Sequence, residues 1–201
     1  MKRLVMMLAA VAVALGGCSR SVSLTVEAEV PAPVTERIPL AAGVYYDERF
    51  SNYVYEEDSE DRPDWRIESG KSQTAMFDRI LSNMFTELRR VEGVPAGPGH
   101  QNLDIVIVPR VEEMQFSTPA EMKVDFYEAW VRYHVDVVRP DGTPVTDWQF
   151  HGYGKSSTEF LKNTTEGLSE AINIALRDAG AKLVVQFQAL PEIRSLVENR
   201  R

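Results

Sequence analysis

The stretch VDFYEAWVRYHVDVVRPDGTPVTDWQFHG, residues 124–152, decides the fold of this 201-residue chain. Apolar and polar residues alternate in it with a period of two, which is typical of strands with one buried face. Asp141-Gly142 lies between the two alternating runs and is a strong signal for a two-residue hairpin turn. That turn sets a register in which Tyr133 faces Phe150, so that the two apolar rows share one face. The sequence therefore predicts an antiparallel hairpin with one apolar and one polar face.

Two segments have the 3.6-residue period of amphipathic helices. Residues 72–91 carry one continuous apolar stripe and predict the first helix, with Ser72 as its N-cap. A second stripe covers residues 159–190, and Pro191 ends or kinks that helix. The glycines and prolines of residues 93–99 separate the first helix from the strand that follows it.

Two further strands and a second hairpin complete the pattern. Residues 39–46 alternate, and residues 103–108 are almost wholly apolar, which favours a strand covered on both faces. Residues 47–70 are rich in acidic and aromatic residues and predict a hairpin in which Tyr53–Tyr55 face Trp65–Ile67. The element order is β-α-β-β-β-α, with this extra hairpin after the first strand. We predict an α+β fold, a two-layer sandwich with a mainly antiparallel sheet and two helices on one face.

The N-terminus has the features of a secreted precursor. Met1-Lys2-Arg3 precedes an unbroken apolar run from Leu4 to Leu15, which fits a secretory signal peptide. The sequence that follows, Leu15-Gly16-Gly17-Cys18, resembles a bacterial lipobox. The resemblance implies that Cys18 becomes the mature N-terminus and carries a diacylglycerol and an N-acyl chain; no other cofactor is expected. Ser19 resembles the outer-membrane class of sorting signals.

This processing divides the chain into three segments. Residues 1–17 are the signal peptide. Residues 18–38 contain several prolines and predict a tether between anchor and domain, whereas the alternation of residues 22–30 equally fits an edge strand. Residues 39–201 form a single α+β domain in the periplasm. We expect a lipid-anchored protein on the periplasmic face of the outer membrane.

The composition excludes several classes of function. Thirty acidic and 22 basic residues give a net charge of −8, whereas a nucleic-acid-binding protein needs a basic face. The triplets Gly70-Lys71-Ser72 and Gly154-Lys155-Ser156 lack the earlier glycine of a P-loop, so no nucleotide is expected. His100, His134 and His151 lack zinc-ligand spacing, so no metal is expected. No Gly-x-Ser-x-Gly motif occurs, and we expect a protein that is not an enzyme.

A cluster of aromatic residues beside acidic residues is the candidate functional site. Aromatic side chains are enriched at protein–protein interfaces, so we predict that this cluster binds a partner protein. The competing interpretation is that the rings pack the hairpin onto the sheet. The candidate residues are Tyr45, Tyr46, Phe50, Tyr53, Tyr55 and Trp65.

The element order resembles that of small outer-membrane accessory lipoproteins. This group includes the lipopolysaccharide-translocon lipoprotein, the YajG-like lipoproteins and the lipoprotein subunits of envelope lipid transporters. The resemblance implies a non-catalytic accessory or assembly subunit of an envelope complex. One alternative is a periplasmic carrier or chaperone for a lipid or glycan, which needs an apolar cavity between sheet and helices. A second alternative is a cell-wall hydrolase, which needs carboxylates converging in a groove.

Overall fold

The computed structural model describes residues 21–27, 30–59, 62–100, 102–159 and 163–200. The predicted signal peptide, the lipobox and Cys18 lie outside these residues. Along the chain, the described helices and strands are β1 (Ser21–Thr25), β2 (Ile38–Val44), α1 (Glu48–Ser51), β3 (Val54–Glu57), β4 (Asp64–Glu68), α2 (Gly70–Met84), β5 (Phe85–Arg90), β6 (Ile105–Ser117), α3 (Pro119–Met122), β7 (Phe126–Val138), β8 (Pro144–Ser157), α4 (Thr164–Ala189) and α5 (Pro191–Glu198).

A five-stranded sheet with the order β5-β2-β6-β7-β8 forms the centre of the fold. The helices α2 and α4 pack on one of its faces. Phe77 of α2 and Leu183 of α4 are fully buried there, and the Phe77 ring contacts that of Tyr133 on β7. The predicted α+β sandwich with two helices on one face is therefore confirmed.

The hairpin of β7 and β8 has the predicted register, with Tyr133 opposite Phe150. Its turn is one residue longer than predicted. The Arg139 N–H donates to the Thr143 carbonyl at 2.8 Å, and the Gly142 N–H donates to the Arg139 carbonyl at 2.8 Å. Gly142 has φ 90°, a left-handed conformation that glycine adopts without steric penalty. A register shift beside the turn absorbs the extra residue, so the predicted pairs are kept.

The helix predicted over residues 72–91 is wrong in its second part. The helix α2 spans Gly70–Met84, and Phe85 already has extended backbone angles (φ −105°, ψ 155°). The strand β5 follows at once and pairs in parallel with β2, for example through Leu88 and Ala42. This pairing satisfies backbone groups at the edge of β2 that would otherwise stay unpaired. Since β2 also pairs in parallel with β6, the sheet contains parallel pairs, whereas its two longest pairings, β6 with β7 and β7 with β8, are antiparallel as predicted.

A second sheet of three strands has the order β1-β4-β3. The strands β3 and β4 form the predicted antiparallel hairpin. The strand β1 pairs in parallel with β4 along its whole length, and Leu24 and Val26 are buried. The tether predicted for residues 18–38 is therefore wrong for residues 21–27, because their alternating apolar side chains enter the core. The edge-strand interpretation describes these residues.

The contact between β8 and α4 is close because two glycines of β8 face the helix. An ideal Cβ at Gly152 would lie 2.0 Å from the Ala175 carbonyl oxygen. An ideal Cβ at Gly154 would lie 1.9 Å from the Ala171 carbonyl oxygen. Both distances are far below van der Waals contact, so a side chain at either position must push the helix backbone away.

We predict that Gly154→Ala destabilises the protein by about 3 kcal/mol, the upper end of the usual overpacking penalty. Thermal unfolding followed by circular dichroism measures the effect, as a fall of roughly 2–4 °C in Tm per kcal/mol. Gly97→Ala is the matched control, because nothing lies within 4 Å of a Cβ at Gly97. Equal Tm values for the two variants would contradict the close contact between α4 and β8.

Candidate functional site

Two of the six predicted partner-binding residues lie in the hydrophobic core. Phe50 is 1% exposed and Trp65 is 4% exposed. The ring centroid of Phe50 lies 5.4 Å from that of Phe77, edge to face. The ring of Trp65 lies 4.9 Å from that of Phe116. A partner cannot reach these rings while the protein stays folded. Phe50 packs α1 against α2, and Trp65 packs the β3–β4 hairpin against β6.

The four remaining residues are half-buried and do not share one surface. Tyr46 stacks on Phe50 at 5.4 Å and donates a hydrogen bond to Asp78 Oδ1 at 3.0 Å. Tyr53 and Tyr55 pack on the same core. Tyr45 lies on the other face of the sheet, with the smaller apolar cluster around Val106. All six rings therefore make packing contacts, as the competing interpretation expects, and partner binding by this cluster stays a prediction.

Burial also governs the acid–base chemistry of these tyrosines. Burial is the main cause that raises the pKa of Tyr46, Tyr53 and Tyr133 above the ordinary value near 10. The pKa of Tyr55 is raised by burial and by its hydrogen bond to Glu57 at 2.7 Å. These phenols therefore hold their protons more tightly in the folded protein than in the unfolded chain.

We predict that the free energy of unfolding falls as the pH rises above about 10, because the unfolded chain then loses phenolic protons that the folded protein keeps. The stabilisation is fully present below that pH and is lost above it. Phenolate absorbance and far-ultraviolet circular dichroism should change together, since the buried tyrosines ionise only on unfolding. Smooth ionisation of every tyrosine with an unchanged dichroism spectrum would contradict the prediction.

The face of the main sheet opposite α2 and α4 is the candidate site that the structure supports. Its β2 end is covered by residues 91–104, where Val91 and Leu103 pack on Val106 and Val138. Further along β6, β7 and β8, the side chains on this face are exposed or half-buried. We call this region the open face. It comprises Arg110, Glu112, Glu113, Gln115, Phe126, Glu128, Trp130, Arg132, His134, Asp136, Asp147, Gln149, His151, Tyr153 and Lys155.

A network of ion pairs centred on His134 occupies the middle of the open face. His134 Nε2 lies 3.0 Å from Asp136 Oδ1 and 3.5 Å from Asp147 Oδ2. Its Nδ1 lies 3.4 Å from Glu112 Oε1. Arg110 NH1 lies 2.7 Å from Asp136 Oδ2. Each of these carboxylates therefore has an arginine or imidazole nitrogen within 3.5 Å. The polar groups in the middle of the open face thus have partners within the protein.

Aromatic side chains interrupt the polar rows at the other end of the open face. The rings of Trp130 and Tyr153 lie 5.2 Å apart, and Tyr153 donates a hydrogen bond to Glu128. Lys155 Nζ lies 3.3 Å from the ring centroid of Phe126. A cleft of about 290 Å³ is bordered there by Glu113, Gln115, Trp130, Arg132 and His151. Aromatic residues at polar positions of an alternating strand were the sequence signal for this site.

A cavity of about 620 Å³ lies at the turn between β7 and β8. Leu40 and Leu103 form part of its apolar wall, and Arg139 and Arg200 bring guanidinium groups to it. His100 also lines the cavity, and its buried Nδ1 has no hydrogen-bond partner in the described chain.

The free edge of β8 is closed by two side chains of α4. The Tyr153 N–H donates to Asp178 Oδ2 at 2.9 Å, and Lys182 Nζ donates to the His151 carbonyl at 2.9 Å. Asp178 and Lys182 also pair with each other at 2.8 Å. The two side chains occupy one N–H and one carbonyl group that an added strand would need, which protects this part of the edge against strand pairing.

We predict that the double variant Asp178→Ala, Lys182→Ala self-associates more than the wild type, because it frees the edge of β8. Sedimentation velocity over a range of concentrations measures the change. Asp178→Asn is the control, since the amide oxygen can still accept from the Tyr153 N–H. A double variant that sediments like the wild type at every concentration would show that the pair does not guard the edge.

The chain matches no family model and no curated protein. Similar solved structures include a Xanthomonas campestris protein of the DUF330 family, 14% identical, with a TM-score of 0.51 over 84% of this chain and 98% of that one. A putative neuraminyllactose-binding hemagglutinin homolog from Helicobacter pylori is 10% identical, with a TM-score of 0.47 over 87% and 97% of the two chains. A putative lipoprotein from Caulobacter crescentus is 10% identical, with a TM-score of 0.39 over 64% and 83%.

The Xanthomonas likeness supports the α+β fold alone, and the other two are too distant to carry an argument. No helix among the described residues is long and apolar enough to cross a membrane. No group of three or more His, Cys, Asp or Glu side chains in the same residues is arranged to hold a metal ion.

Proposed function

We propose that this chain is a lipid-anchored lipoprotein on the periplasmic face of the outer membrane, where it acts as a non-catalytic accessory subunit of an envelope protein complex. The anchor would be the acylated Cys18, since the sequence before it resembles a lipobox. The docking surface would be the open face. In this proposal the partner binds to the outer side of β7 and β8, and not to the aromatic hairpin.

The composition of the open face is the observation that carries the proposal. Tryptophan, tyrosine and arginine are the residues that dominate binding energy at protein interfaces. Trp130, Arg132 and Tyr153 stand together on this face, and all three are half-buried or exposed. Charges of both signs surround them in ion pairs, which resembles the polar rim of an interface. A folded protein surface with complementary charges is the partner that this pattern fits.

Two features weigh against the alternative functions. A carrier of the kind predicted from the sequence needs space between sheet and helices, whereas Gly152 and Gly154 bring β8 against the backbone of α4. A hydrolase needs carboxylates free to exchange protons, whereas on the open face Glu112 pairs with Arg132 and Asp136 pairs with Arg110.

We predict that Trp130→Ala with Tyr153→Ala weakens partner binding by about 30-fold or more, as expected if the pair together contributes at least about 2 kcal/mol. A photoreactive amino acid at position 151 in living cells should give a discrete adduct with the partner, and the double variant should lose it. The same probe at position 185 should give no adduct, because Val185 is 70% exposed on α4, on the opposite side of the sheet.

Tyr53→Ala with Tyr55→Ala is the matched control for the hairpin surface. This pair should keep the adduct, provided circular dichroism shows a folded protein. Loss of the adduct in the hairpin variant alone would return the binding role to the hairpin. The lipid anchor is tested separately: Cys18→Ser should lose the acyl mass and leave the membrane fraction.

A second candidate function, carriage of a small ligand, is favoured by the cavity beside the β7–β8 turn. Its volume of about 620 Å³ lies within the range of ligand sites, and it combines apolar walls with guanidinium groups. Native mass spectrometry of the purified protein tests this function. A bound small molecule that His100→Ala releases would support carriage instead of docking alone.

A further inference from the structure

The proposed anchor lies a very short distance from the folded body. Only Ser19 and Arg20 stand between Cys18 and Ser21, the first residue of β1. A fully extended chain spans at most about 3.6 Å per residue, so the three steps from Cys18 to Ser21 reach about 11 Å. The tether of about 20 flexible residues expected from the sequence would reach about 25 Å and leave the domain free to rotate.

The position of Ser21 in the second sheet defines one pole of the molecule. Ser21 pairs with Asp64 at the start of β4. Arg62, two residues before Asp64, bridges Glu57 of β3 at 3.1 Å and Glu121 of α3 at 2.8 Å. The beginning of β1, the tip of the β3–β4 hairpin and α3 therefore meet at one end of the protein. We call this end the anchor pole.

An exposed apolar side chain projects from the anchor pole. Met122 is 56% exposed at the end of α3. Lys123 follows it with φ 53°, a left-handed residue that ends the helix. The turn is held by a capping box, in which the Thr118 N–H donates to Glu121 at 2.8 Å. A rigid turn thus presents Met122 outward on the side from which β1 starts.

The cavity and α5 lie at the opposite end of the sheet. The strand β7 starts near the anchor pole, because its Ala129 pairs with Phe116, whose ring contacts Trp65. It ends at the turn that borders the cavity and α5. Its 13 residues span roughly 40 Å at the antiparallel rise of about 3.4 Å per residue.

We propose that the anchor pole rests on the bilayer surface, with Met122 against it, and that the cavity and α5 point away from the membrane. The proposal rests on the proposed acylation of Cys18. The short segment between Cys18 and β1 holds the pole at the membrane. Charge does not hold it there, because the pole has more acidic than basic side chains. Among the residues that the structure describes there, these are Glu57, Asp58, Asp64 and Glu121 against Arg62 and Lys123. A zwitterionic lipid surface is therefore the partner that it fits.

Fluorescence quenching tests the orientation with the acylated full chain in vesicles. Cys18 is the only cysteine and its sulfur carries lipid in the proposed protein, so a new cysteine is labelled selectively. We place the fluorophore through Met122→Cys at the anchor pole or through Ser195→Cys on α5. The vesicles contain phosphatidylcholine and a headgroup-spin-labelled lipid. The label at position 122 should lose most of its fluorescence, and the label at position 195 should keep it.

A linker insertion supplies the matched control. About 20 Gly and Ser residues inserted after Ser19 keep the anchor but lengthen the segment between Cys18 and β1 to about 25 Å, so quenching at position 122 should fall severalfold. Equal quenching at both positions, or stronger quenching at position 195, would overturn the orientation while the acyl mass on Cys18 still supported the anchor. Absence of that mass would overturn the anchor and with it the orientation.

Discussion

The approach of α4 to two glycines of β8 is the constraint on which the rest of the structure depends. Gly152 and Gly154 let the helix backbone lie directly on the strand. At this distance the helix positions opposite the two glycines hold only alanines, whereas the larger Phe187 further along α4 contacts the ring of Trp148 on β8. The same closeness brings Asp178 and Lys182 within hydrogen-bond reach of the edge of β8. One contact thus fixes the helix layer and closes a sheet edge. The small residues of the seam are Ala171, Ala175 and Ala179.

Burial of one face of the main sheet determines which side chains lie on the opposite face. The side chains of β7 alternate strictly, so each residue added to the core places its neighbours on the open face. Asp136 and Asp147 oppose each other there, an unfavourable pair on its own. The guanidinium of Arg110 pairs with Asp136 and offsets this repulsion, and His134 Nε2 lies within 3.5 Å of a carboxylate oxygen of each residue. The aromatic residues Trp130 and Tyr153 at the other end of the open face do not neutralise a neighbouring charge. For this reason we base the proposed function on them.

Local signals predicted the β7–β8 hairpin, whereas longer-range pairings escaped prediction. The pairing of Tyr133 with Phe150 follows from a turn and a period of two, both readable within 30 residues. The strand β5 was missed because Leu88 fits a helical stripe as well as a strand, and only the edge of β2 decides between them. Aromatic composition could not rank the two candidate surfaces, because it does not distinguish a buried ring such as Trp65 from a half-buried one such as Trp130.

The incorporation of β1 into the fold would link the proposed membrane attachment to stability. Val26 follows β1, and its carbonyl accepts hydrogen bonds from the buried Ser72 hydroxyl of α2. Leu24 and Val30 belong to the same core as α2 and α4. In the anchored protein, a pull on the acyl chains would therefore act on the core within a few residues. A long tether would absorb the same pull as chain extension at little cost. The sequence near the anchor thus favours a body held at a fixed height and orientation over one that searches the periplasm, and a subunit that presents one surface to a fixed partner needs that arrangement.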